Sequence, residues 1–92
     1  MRLELLSAIT ADATGSTMYF RGGKCYFISN SGDFGGGTVA LQYNAFGSTW
    51  VTMASDTVSS VEALDLPSGD YRAVLSGSTT PTALTAILTS AK

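Results

Sequence analysis

The segment LDLPSGDYRAVL, Leu64 to Leu75, holds the pattern that decides the fold. Leu64 and Leu66 before the turn, and Tyr71, Ala73 and Leu75 after it, alternate with Asp65, Asp70, Arg72 and Val74. An apolar residue at every second position puts one face of a pleated strand on a core and the other on water. Between the two runs, Pro67 at the second position and Gly69 at the fourth suit a type I turn. Two half-buried strands therefore meet at a tight reversal, with no room for a helix.

The same reading extends outward in both directions. Strands are expected over residues 3–10, 16–20, 24–29, 38–43, 49–54, 57–66, 70–76 and 83–90. Gly-, Ser-, Asp- and Pro-containing turns separate them. Eight short strands at regular spacing, with no helical stripe, predict an all-β fold: an antiparallel β-sandwich with Greek-key or jelly-roll-like (Ig-like) connectivity, formed as one domain over residues 1–92. The expected core is Leu5, Phe27, Val39, Leu41, Trp50, Leu64, Leu66, Tyr71, Ala73, Leu75, Leu84 and Leu88. Tyr71, two residues after Gly69, resembles the tyrosine corner of immunoglobulin-like and fibronectin-like sandwiches, which implies a hydroxyl bonded back to the backbone where the chain changes sheets. In STMYFRGGKCYFIS, the Gly22-Gly23 pair between two aromatic runs predicts a type I′ hairpin with Arg21 and Lys24 facing each other beside the turn.

Composition narrows the chemistry. Of 92 residues 45% are apolar and only 13% charged, and 10 Gly, 12 Ser and 12 Thr carry much of the polarity. The net charge of −2 comes from scattered groups with no basic stripe, so nucleic-acid binding is not expected. No apolar run is long enough for a membrane-spanning helix. The N-terminal MRLELLSAITADA is read as a first strand, since Glu4 interrupts its apolar part. The chain has no histidine, the commonest general base and metal ligand. Cys25 is the single cysteine and sits in the apolar run CYFI, where it is read as an inert buried thiol.

Gly35-Gly36-Gly37 could suggest a phosphate-cradling loop, but Thr38-Val39-Ala40-Leu41-Gln42-Tyr43 follows as a strand, without the lysine and helix such a loop needs. Asp33 has no second acid close in sequence and is read as a turn residue bonding its own backbone, not as a calcium ligand. No catalytic, cofactor-binding or metal residue is nominated, and an enzyme is not expected. The aromatics are more informative. Neighbours such as Tyr19 and Phe20, or Tyr26 and Phe27, point to opposite faces, so one of each pair is directed outward, where exposed tyrosine suits a partner surface.

From Gly35 to Gly77 the chain runs GGGTVALQYNAFGSTWVTMASDTVSSVEALDLPSGDYRAVLSG: a glycine-rich turn, a TVALQ strand, a GSTWV strand, a spacer, then LPSGDYRAV. This cadence resembles the small β-sandwich proteins of bacteriophage virions, of the capsid decoration or cement type. The resemblance implies a non-enzymatic structural protein that binds the assembled head and stabilises it by interface burial. It further implies contacts to the major capsid protein or other virion proteins, a symmetric homo-oligomer with a trimer favoured, and synthesis in the bacterial host cytoplasm before residence in the virion. No functional residue is carried over by motif. The alternative expectation is a tail-fibre or receptor-binding accessory module that contacts host-surface glycans through exposed aromatics. Because scaffolds carry contacts on termini and loop tips, the expected partner-interface residues are Arg2, Leu3 and Glu4, Arg21 and Lys24, and Tyr43 and Phe46.

Overall fold

The computed structural model describes residues 2–91, among which there is no helix. Nine strands follow in order: β1 (Arg2–Ile9), β2 (Ala13–Thr14), β3 (Met18–Phe20), β4 (Gly23–Asn30), β5 (Thr38–Asn44), β6 (Trp50–Asp56), β7 (Ser60–Leu66), β8 (Gly69–Ser76) and β9 (Leu84–Ser90). The eight runs expected from alternation all form. The addition is β2, in a stretch read from sequence as a turn; β2 and β3 lie end to end along β8 as two pieces of one broken strand. Between them the Gly15 N–H donates to the Ala73 carbonyl at 2.8 Å.

The strands form two antiparallel sheets, β1-β9-β4-β7 and β2/β3-β8-β5-β6. The pairings are nested: β5 with β6, β4 with β7, β2/β3 with β8, and β1 with β9. A long antiparallel ribbon folded at the β5–β6 hairpin and wrapped around itself has this arrangement, which is the jelly roll. Apart from β5–β6, and β2–β3 within the broken strand, every connection crosses from one sheet to the other. An immunoglobulin-like order would seat the last strand beside β8; here β9 lies between β1 and β4.

The interior between the sheets is closed by Leu5, Phe27, Val39, Leu41, Leu66, Tyr71, Ala73, Leu75, Leu84 and Leu88, all expected, together with Leu6, Phe20, Cys25, Phe34 and Ala86. Leu64 packs against this core half-buried. Tyr71 is its centre. Its ring meets Phe20 edge-on at 6.0 Å and Tyr43 at 5.1 Å. Its hydroxyl donates to the Pro67 carbonyl at 2.6 Å, where the chain crosses from β7 to β8. The tyrosine corner read from the sequence is therefore present, and burial first, then Tyr43 and Cys25 nearby, push the phenol well above its ordinary pKa.

Two expectations are corrected. Trp50 is not in the core. A bulge in the β5–β6 ladder between Leu41 and Gln42 turns both Met53 and Ala54 onto the core, which reverses the parity of the rest of β6. Trp50, opposite Asn44, is thereby carried to the outer face. The second correction concerns Gly22-Gly23. Both have positive φ, 90° and 102°, as a type I′ turn would require, yet the strands on either side belong to different sheets. A Cβ on Gly22 would lie 2.7 Å from the Ser68 nitrogen, so glycine here lets the β3–β4 crossing press against the β7–β8 crossing. Arg21 and Lys24 are not a cross-strand pair.

Candidate interaction surfaces

The side chains not used by the core lie on two outer sheet faces and two loop-bearing ends. On the outer face of β1-β9-β4-β7, the registers set the residues in rows. One row runs Arg2, Thr89, Tyr26, Ala63, and the next runs Glu4, Ile87, Ile28, Val61. Lys24 and Asp65 stand opposite each other one row beyond Tyr26 and Ala63. The centre of this face is thus apolar and β-branched, and it stays open. Val61 is 63% exposed and Tyr26 40%, while Ile28 and Ile87 between them are half-buried. An open, mainly apolar groove along Lys24, Tyr26, Ala63 and Asp65 extends it toward Ala91.

The other outer face is built differently. Arg72 lays its guanidinium 4.1 Å over the Trp50 ring and donates from Nε to Gln42 Oε1 at 2.8 Å. Arg72 and Gln42 are cross-strand partners, so two strand positions and the bulged β6 together hold a closed stack. The indole is covered by its own chain. An outward aromatic with an amide beside it would suit a sugar, but here the arginine occupies the ring face.

At the β6–β7 edge, polar groups enter the space between the sheets. Ser29, 1% exposed, donates to Asp56 Oδ2 at 3.3 Å. Glu62 reaches the same carboxylate, and its Oε2 and the Ser60 Oγ are occluded without a hydrogen-bond partner. The hydrogen bond shared with Asp56, then burial and the Asp56 charge, push the Glu62 carboxyl up to about 7. Two acids and two hydroxyls meet here, yet no group of three or more His, Cys, Asp or Glu placed for a metal occurs among the described residues.

The two ends also contrast. At one, the loops are laced together. Asp12 accepts from the Gly77 and Ser78 amides at 3.1 and 2.9 Å and from the Ser78 hydroxyl, which holds its carboxyl below the usual value. Thr79 N–H donates to Gly35 O at 2.9 Å and Thr82 N–H to Asp33 O at 2.8 Å. Asp33 Oδ1 accepts from Gly35 N–H at 2.8 Å, the turn role expected for it. Gly35 has φ 63°, and a Cβ on it would strike the Thr79 carbonyl. The close approach that Gly35 and Gly37 allow is therefore made by the chain's own β8–β9 loop, at Thr79 and Ser78. The other end carries the β5–β6 hairpin, whose Phe46 is 79% exposed, beside the crossings at Arg21 and Pro67.

The residues proposed from sequence as partner contacts are distributed accordingly. Arg2 and Glu4 are exposed on the edge strand of the apolar face, and Lys24 on its inner strand β4. Arg21 and Phe46 are exposed at the open end. Leu3 turns inward against the core, opposite Leu88. Tyr43 is half-buried on Tyr71, with its hydroxyl donating to Ser68 O at 3.3 Å. The apolar centre at Tyr26, Ile28, Val61 and Ile87 was not among those contacts; the alternation of β4, β7 and β9 marks their outward parity, but only the sheet order brings them together. Cys25 is buried, and burial, then Asp65, raise its thiol pKa. Compared with known proteins, the chain matches no family model, no curated protein and no solved structure.

Proposed function

We propose that the chain is a non-enzymatic structural protein of a phage virion, a decoration or cement component that binds the assembled head and stabilises it by burying interface. The observation that carries this reading is the open apolar face of β1-β9-β4-β7. Tyr26, Ile28, Val61 and Ile87 form one contiguous patch on a rigid sheet, and a patch of that kind marks a surface meant to be covered. A protein that binds only the assembled shell stabilises that shell by mass action. On this reading the open end, with Phe46 and Arg21, faces the shell, and the apolar face meets a neighbouring protein. The covered Trp50 ring favours this over sugar binding.

Co-sedimentation tests the proposal. The purified chain is expected to pellet with heads assembled from the gene products encoded beside it, and Phe46→Ser with Arg21→Glu is expected to cut the bound fraction about tenfold. A chain that stays in the supernatant with heads, or that binds selectively on a glycan array, contradicts it.

A further inference from the structure

We infer that the outer face of β1-β9-β4-β7 pairs with the same face of a second copy, about a two-fold axis lying across the strands between the Arg2 row and the Glu4 row. The inference rests on reading that face as an assembly surface and names its occupant.

The charges select the partner. Arg2 and Glu4 are two positions apart on β1, both exposed on this face, and among the described residues neither has an ion-pair partner within its own chain. Rotation about an axis across the strands leaves each strand column in place and exchanges the two rows. Arg2 then stands over Glu4 of the second copy, and Glu4 over the second copy's Arg2. The same rotation lays Tyr26 over Ile28 and Ala63 over Val61, each reciprocally, so the apolar centre is covered by itself. Lys24 and Asp65 already oppose each other within one copy and come over the polar row at Asn30. The other two-fold, parallel to the strands, would lay Glu4 over Val61 and leave both charges facing hydrocarbon. Only one of the two symmetric packings is therefore complementary, and an isologous contact of this kind closes at two copies.

Size agrees with a weak but specific dimer. Four strands about 4.8 Å apart and about 25 Å long give a footprint of roughly 19 by 25 Å per copy, so two copies bury about 1,000 Å², the lower bound for a specific interface.

Sedimentation equilibrium from about 1 to 500 μM is the test, run on the wild type, on Glu4→Arg, on Arg2→Glu and on the two substitutions combined. The wild type is expected to be a monomer–dimer equilibrium. Each single reversal places like charges opposite each other twice and is expected to weaken the dimer about tenfold, while the combined swap is expected to restore it to within about threefold. Melting curves serve as the folding control, since both positions are exposed. A monomer at all concentrations, a trimer, or a swap that fails to restore the dimer overturns the inference. Shell co-sedimentation separates the two readings: a monomer that still pellets with heads sinks only the dimer, and a dimer that ignores heads sinks only the virion role.

Discussion

The two outer faces of this sandwich differ in how their large apolar groups are covered: on one the indole is capped from within the chain, although Tyr19 stays 57% exposed, and on the other the apolar centre is open. On the β2/β3-β8-β5-β6 face, the largest outward side chain, Trp50, is covered by Arg72, and Arg72 is fixed by Gln42. On the β1-β9-β4-β7 face, Ile28 stands between Ile87 and Val61, and Val61 is 63% exposed. A folded monomer gains from covering apolar surface, so the face that covers itself contributes to stability and the face that does not is available for association. The prediction is a division of labour: substitutions on one face change mass without changing stability, and on the other the reverse.

The largest effect is expected from Val61→Lys. Two buried ammonium groups near the two-fold should weaken association on the order of 100-fold by sedimentation, while unfolding stability shifts by less than about 0.5 kcal/mol, as for other exposed positions. A stability loss of several kcal/mol would show that Val61 supports the fold instead. Next comes Tyr71→Phe, which probes the interior shared by both faces. It leaves the Pro67 carbonyl without its partner, and urea titration should show a loss of about 1–2 kcal/mol with the association constant unchanged. On the opposite face, Trp50→Ala removes the guanidinium contact and the half-buried ring, which should cost about 1 kcal/mol, again without altering mass.

A further prediction concerns pH. Glu62 titrates at about 7 in the fold and at about 4.5 in the unfolded chain, so the folded state holds the extra proton between those values. Stability from this group therefore falls as pH rises from about 4.5 to about 7 and levels off above. Glu62→Gln should flatten that segment of the stability profile, and an unchanged profile would remove the shared proton. Asp12 has the opposite sign: its stabilising contribution is present above the ordinary carboxylate range and is lost as acid protonates it.

Much of the fold was legible in the sequence because alternation and turn residues are local signals. The eight expected strands formed, and LPSGDY specified a corner that the Tyr71 hydroxyl closes. What the sequence could not supply was partnership. Gly22-Gly23 announced positive φ correctly, but a backbone reversal inside one sheet and a crossing between two sheets ask the same of glycine. Alternation alone puts Trp50 in the core, whereas one extra residue at Met53 inverts every side chain beyond it, and a bulge has no strong sequence signature. The apolar face is hidden from the sequence for a related reason. Tyr26, Ile28, Val61 and Ile87 come from three strands far apart in the chain, and only the nested order makes them neighbours.

A dilution series of methyl and indole NMR spectra distinguishes the face whose apolar centre is left to be covered from the face on which Trp50 is capped by Arg72. Raising the concentration is expected to shift the methyls of Ile28, Val61 and Ile87 together along one binding curve, while the Trp50 indole and the Val74 methyls stay fixed. Shifts centred on Trp50, or none on the β1-β9-β4-β7 face up to millimolar concentration, would contradict it.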